Sequence, residues 1–322
     1  MSPDPDGLPS YDELLCIPET GARNNWGVFG ADDELGTVNF LTPSRVVAAA
    51  GLVREGLVVD LSLPLDLPGP PLSGRREAYA HEIEKMRVGR DDRLDGFYPQ
   101  GSTQWDGLTH IRYREFGYYG GRDEEQLDQG ELGVDRLAAR GLVGRGVLAD
   151  VAGYAAATGR ELAPDRRHGI TPAELDEVLA YQGSELRGGD VLLLRTGWVG
   201  WYLGLDEEQR TDLHGRLHNR EGGLECPGLD PAPATAAWLW DHRVAAVAVD
   251  NPAVETLRVT KEEGFLHRLL IPLLGMPLGE FWNLEELARA CRARSRHEFL
   301  FFSVPLKIPR GAGSPGNGLA IL

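Results

Sequence analysis

Gln100-Gly101-Ser102-Thr103-Gln104-Trp105-Asp106-Gly107-Leu108-Thr109-His110 sets two amides, one acid and one imidazole at spacings of four, two and four. Turn formers lead in (Asp95, Gly96, Pro99) and aromatic residues lead out (Tyr113, Phe116, Tyr118, Tyr119). With Thr103–Asp106 extended, side chains alternate, so Gln104 and Asp106 share one face of a strand. His110 follows one loop or helical turn later. An acid and a His held close together suit general acid/base or metal-assisted chemistry. The plain alternative is a structural Asp–His pair, and the rest of the chain has to decide between them.

Downstream, Val244-Ala245-Ala246-Val247-Ala248-Val249 is a continuous apolar run typical of a strand buried on both faces. It ends on Asp250, with Asn251-Pro252 turning the chain. That acid either meets a ligand at a strand's C-terminal edge or caps the turn. His267, in Gly264-Phe265-Leu266-His267-Arg268-Leu269-Leu270, and Glu280, in Pro277-Leu278-Gly279-Glu280-Phe281-Trp282-Asn283, stand in apolar surroundings where an unpartnered polar group is costly. A core His satisfied by backbone would explain one such residue. Two of them thirteen apart favour a shared site.

Around these residues strands and helices alternate. Thr42-Pro43 opens a helix with Val46, Val47, Ala50 and Val53 on one face and Gly56 at its end. Residues 57–65 and 146–151 read as strands. Thr171 with Glu174 forms a capping box for a helix running to Gly183, followed by a strand over 191–195. Residues 231–242 read as a helix, Asn283 with Glu286 as the cap of a helix to Arg294, 298–308 as a long β run and 319–322 as a last short strand. This succession predicts α/β construction.

Residues 73–99 are polar and without a period, which predicts a lid or pocket wall; His81 lies there without a partner at ligand spacing. Residues 200–230 read as irregular. His214 and His218 stand four apart, a zinc spacing on a helix, but Arg216 and Arg220 would repel a cation and a solvated helix face is the better reading. The Gly-rich 311–318 segment lacks Gly-Lys-Ser/Thr and reads as a turn, not a phosphate loop.

Composition sets the class. At 322 residues, 42% of them hydrophobic and 25% charged, the chain can build a large core without staples. Its net charge of −16 argues against nucleic acid or an anionic membrane as partner and leaves a small-molecule substrate. Cys16, Cys226 and Cys291 are scattered, so neither a disulfide framework nor a cysteine zinc site is expected. The acidic N-terminus and the lack of a long apolar run predict a cytoplasmic protein. Residues 1–24 read as an arm or a poorly ordered lead-in, and 25–322 as a single domain.

The opening stretch resembles the central motif of the cyclase family, metal-dependent hydrolases that include bacterial kynurenine formamidase and isatin hydrolase, where it reads H-x-G-T-H-x-D-x-x-x-H. Thr103, Asp106 and His110 match; Ser102 replaces the glycine, and Gln100 and Gln104 replace the first two metal-binding histidines. Thr171-Pro172 through Trp198, Asp250 through Glu255, His267 with Glu280, and Gly313-Ser314-Pro315 resemble further family elements. The resemblance implies a swivelling β/β/α-type layered fold assembled as a homodimer or homotetramer.

It also implies that Asp106, His267 and Glu280 bind a divalent metal, Zn or Mn, and that His110 is the general acid/base. In two-metal members Asp106 corresponds to the bridging carboxylate. An amide oxygen is a much weaker zinc ligand than imidazole, so Gln100 and Gln104 leave three outcomes: one metal, two metals with help from the amides, or none. One metal is expected, because His267 and Glu280 are costly to bury without a cation. The implied activity is hydrolysis of a formamide or lactam C–N bond, arylformamidase-like as in tryptophan catabolism. Trp105, Tyr118, Tyr119 and Asp250 would line the substrate pocket, with Tyr113 nearby, or the aromatics would be core. Alternatives are a metal-free cyclase or lyase of secondary metabolism using Asp106 and His110, and a ligand-binding protein on a degenerate enzyme scaffold.

Overall fold

The computed structural model describes residues 7–218, 222–260 and 264–322. Among them, nine strands form one mixed sheet, in the α/β arrangement expected. In chain order these are β1 (Val58–Asp60), β2 (Gln104–Asp106), β3 (Leu142–Asp150), β4 (Val191–Arg195), β5 (Ala246–Val249), β6 (Leu278–Glu280), β7 (Glu298–Ser303), β8 (Gly313–Pro315) and β9 (Gly318–Ile321). Across the sheet they run β8-β2-β6-β5-β4-β3-β7-β9-β1. The four from β6 to β3 are parallel, and the pairs outside them antiparallel. The parallel centre follows from composition: every residue of β5 is buried, as is 191–194 of β4, so neither strand carries a polar face.

The helices used below are α1 (Pro43–Ala50), α2 (Pro172–Gln182), α3 (Leu266–Leu274) and α4 (Glu285–Arg294). Thr171 Oγ1 accepts the Glu174 amide at 3.2 Å, and Gly183 closes α2 in the left-handed conformation. The Glu174 carboxylate turns instead to His168 at 2.9 Å, so the predicted box is half made. α1 stops at Gly51, not Gly56, and its packed side is not the expected one: Val47 is 74% exposed while Ala49 is buried. Asn283 does not cap α4, whose N-cap is Leu284; the Asn283 Oδ1 is buried without a partner.

Residues 80–95 form a hairpin, Ala80–Met86 paired with Gly89–Asp95. Every residue in its strands is exposed, and a strand wetted on both faces shows no alternation to read. His81 lies 2.6 Å from Asp92 on that hairpin. The 200–230 region, read as irregular, contains helices Trp198–Leu203 and Glu207–Asp212. His214 Nδ1 faces the Pro71 carbonyl at 2.8 Å, and the His218 side chain lies outside the described residues. The chain from residue 7 packs on the body: Tyr11, Leu14 and Ile17 are buried, and the Trp240 indole donates to the Pro9 carbonyl at 2.9 Å. No helix among the described residues is long and apolar enough to cross a membrane.

β2 sits between β6 and β8, with Glu280 opposite Gln104 and Gly313 opposite Asp106. Alternation sends Gln104 and Asp106 to one face and Trp105 to the other. Trp105 is therefore core, not pocket wall: it is fully buried against Trp282 and Phe301, centroids 4.9 and 6.4 Å away, and donates to Ser303 Oγ at 2.8 Å. Trp105→Ala is expected to cost about 3–5 kcal/mol by denaturant unfolding. A loss under about 1 kcal/mol would show that the cluster collapses around the gap.

Candidate metal centre

Three chain segments meet at the motif strand. Asp106 ends β2, Glu280 ends β6 and His267 lies in the first turn of α3. His267 Nε2 is 3.7 Å from Asp106 Oδ2 and 3.2 Å from Glu280 Oε1. One potential ligand atom from each of the three residues lies within 4.8 Å of the others, and all three side chains are buried. After Glu280 the chain turns through Phe281 at φ 57°, a left-handed conformation that a bulky side chain rarely adopts. Bonds from the Phe281 amide to Asn251 O and from the Trp282 amide to Val249 O hold it there.

Glu255 completes the far side. Its Oε2 lies 2.7 Å from His267 Nδ1, while the Phe265 ring stacks on the imidazole at 4.9 Å. The carboxylate accepts a hydrogen bond from Nδ1–H, so Nε2 is the nitrogen turned toward Asp106 and Glu280. A carboxylate behind an imidazole is how metal-ligating histidines are commonly held in tautomer and orientation.

His110 stands at the open edge, its side chain 26% exposed against 1% for Asp106, with Nε2 3.8 Å from Asp106 Oδ2. Gln100 links the two. Its Nε2 contacts Asp106 Oδ1 closely and lies 2.9 Å from His110 Nδ1. A carboxylate only accepts, so the Gln100 NH₂ gives one hydrogen to Asp106 and has its other for His110 Nδ1. That places the hydrogen of neutral His110 on Nε2, facing the centre. Gly313 makes room for this arrangement: a Cβ there would lie 2.6 Å from Gln100 Cγ.

The electrostatics follow from burial and crowding. Burial presses the Asp106 carboxyl upward, but the nearby His110 and His267 charges and the hydrogen bond from Gln100 outweigh it and hold it low. Glu280 is pushed up to about 7, by burial first and then by the Asp106 charge. Burial opposes a charged His267, yet the Glu255 charge, the nearby Asp106 carboxylate and the hydrogen bonds to Glu255 and Glu280 raise it well above the usual imidazole range. His110 is lowered by burial, with the His267 and Arg76 charges adding to the effect, which favours the neutral ring.

The donor set fits a divalent cation. Two carboxylates and an imidazole suit a first-row metal, and Asp106 Oδ2 and Gln104 Oε1 are buried acceptors without a hydrogen-bond partner. Gln104 meets the cluster through its other atom: Nε2 donates to Glu280 Oε2 at 2.7 Å and to Asp106 Oδ1 at 3.4 Å. Of the two glutamines, Gln104 thus bridges the carboxylates and Gln100 orients His110. Both glutamines meet the cluster through Nε2.

The other pocket candidates have partners of their own. Tyr119 is buried and donates to Asp33 Oδ2 at 3.0 Å. Tyr118, half-buried, donates to Glu124 Oε1 at 2.8 Å, and Tyr113 stacks with Phe116. Asp250 takes the turn-capping role: its Oδ1 accepts from the Thr196 amide and hydroxyl at 2.7 Å each, and its Oδ2 from the Gly197 amide at 2.8 Å. Two residues beside the centre were not singled out from sequence. Glu255 was visible only as part of the Asp250–Glu255 resemblance, and Arg76 lay in the 73–99 segment, which has no period.

A mixed α/β sheet that gathers a buried acid–imidazole–acid cluster at β2, β6 and α3 defines the class of protein: an α/β protein with a potential metal centre. The chain belongs to the cyclase family, whose model matches residues 59–256. The crystal structure of a novel cyclase superposes with a TM-score of 0.81 at 33% identity, covering 96% of this chain and all of that one. Isatin hydrolase A from Labrenzia aggregata, bound to benzyl benzoate, gives 0.58 at 20% identity over 86% of this chain and 97% of its own. A predicted metal-dependent hydrolase from Bacillus stearothermophilus gives 0.51 at 16% identity over 83% and 98%. The last two show a shared fold. A search of curated proteins returns no match.

Proposed function

We propose that the protein is a metal-dependent hydrolase of an amide C–N bond, in a formamide or lactam, with an arylformamidase-like substrate. The observation that carries this reading is the Asp106–His267–Glu280 cluster with its orphaned Asp106 Oδ2. Asp106, His267 and Glu280 would hold the cation, Zn or Mn. Bound there, it supplies the Lewis acidity that polarises a carbonyl and makes water nucleophilic near neutral pH. Glu255 fixes the Nε2 of His267 toward it. His110 would take a proton from the attacking water and pass it to the leaving nitrogen, so that the ring ends neutral as it began; Gln100 orients the ring through Nδ1. Hydrolysis of formylkynurenine and of small lactams, with and without chelator, tests the reading. Turnover that chelator leaves untouched contradicts it.

One observation favours a second reading, a metal-free cyclase, lyase or binding protein. The Gln104 NH₂ lies between Asp106 and Glu280 and offsets part of their repulsion without a cation. Elemental analysis of the purified protein separates the two.

Glu255 provides an independent check. Glu255→Ala is expected to weaken metal binding by roughly 10–100-fold, the usual cost of removing a partner behind a ligating His. Glu255→Gln keeps an acceptor for Nδ1–H and should lose less. Equal affinities for wild type and Glu255→Ala, by metal titration, would remove Glu255 from the site.

A further inference from the structure

Beside the centre lies a groove that the assignments above do not use. Leu72, Tyr79, Tyr98, Leu217 and Phe281 give it apolar walls, and Gly101 and Phe281 join it to the centre as the chain neighbours of Gln100 and Glu280. Tyr79 is braced edge-on by Phe97 at 5.7 Å, at the foot of the 80–95 hairpin. One cation lines the groove. Arg76 is half-buried and donates through Nη1 to the Gln100 carbonyl. Among the described residues it forms no ion pair; like the half-buried Arg45 and Arg210 it bonds a backbone carbonyl, but of the three it alone lines the groove. Asp66 and Glu77 also line the groove, but both are exposed at its rim.

Arg76 is close enough to the centre for its charge to act on both His110 and Glu280. A guanidinium beside the centre can pair with an anionic group that enters with the substrate. A planar fork of donors with one arm on Gln100 O leaves the rest for a carboxylate.

We propose that Arg76 determines substrate specificity by binding a carboxylate, and that the substrate is an amide with an apolar or aryl body lying along the groove. This rests on the amide-hydrolase reading for the bond cleaved, but not for the ligand bound. A purely structural Arg76, clipping the Gln100 loop, would give no preference for anions.

The test pairs two measurements on the full chain. Binding of phenylacetate and of its neutral twin phenylacetamide is measured by calorimetry for wild type, Arg76→Lys and Arg76→Gln. In parallel, kcat/KM is compared for an aryl formamide bearing a ring carboxylate and for its carboxamide twin. Wild type should prefer the anion by about tenfold or more, the range of a hydrogen bond to a charged group. Arg76→Lys should keep part of that preference and Arg76→Gln should bring it to about unity. An equal preference in wild type and Arg76→Gln, or no preference in wild type, overturns the proposal. If phenylacetate binds through Arg76 while neither formamide is cleaved, the hydrolase reading fails and the Arg76 assignment stands. If both formamides are cleaved at the same ratio by all three proteins, the reverse holds.

Discussion

His110→Ala is expected to lower kcat by about 10²–10⁴, the range for a positioned proton donor, while leaving the bound cation in place. His110 is not among the three residues whose ligand atoms cluster, and it lies on the solvent side of Asp106. Its loss should therefore separate proton transfer from metal retention. Gln100→Ala offers the companion test. The ring would lose the donor at Nδ1 and could carry its hydrogen on either nitrogen, so the pH–rate profile should move along with kcat. A profile unchanged in Gln100→Ala would mean that the tautomer is set by something other than this amide.

The second large effect belongs to Asp106. Asp106→Asn is nearly isosteric but removes the carboxylate shared by the hydrogen bond from Gln100 and the contacts to both histidines. Metal affinity should fall by more than the roughly 10–100-fold that an outer partner is worth, and turnover with it. The fold should survive, because Asn can still accept from Gln100. Circular dichroism of the variant, set beside its metal titration, distinguishes a lost ligand from a lost fold. Retained affinity would exclude Asp106 as a ligand.

Much of the centre was legible because polar residues in apolar runs demand partners. His267 and Glu280 stood out for that reason, and the period of two placed Gln104 and Asp106 together before any coordinates. The same period, pushed one step further, puts Trp105 on the opposite face, which makes it core. Tyr119 and Asp250 stayed open between pocket and structural roles because burial does not show in residue type: a Tyr hydroxyl on Asp33 and an acid capping Thr196 look like site residues in sequence.

The fold was readable where local chemistry is strong. Thr171 and Gly183 bound their helix as expected, and the apolar run before Asp250 became the parallel centre of the sheet. It was unreadable where local signals vanish. The 80–95 hairpin is wet on both faces, and Gly313–Pro315 pairs with β2 through three residues that look like a turn. Arg76 escaped notice because nothing near it in sequence reveals that Gln100 and Phe281 come alongside.

The most direct test of the account is metal retention itself. The purified protein is dialysed against Zn²⁺ or Mn²⁺, then against buffer, and analysed for metal beside the His267→Ala/Glu280→Gln double variant. About one retained equivalent is expected for the wild type, from a donor set of two carboxylates and one imidazole, and none for the variant. No retention by the wild type, or equal retention by both proteins, would contradict it.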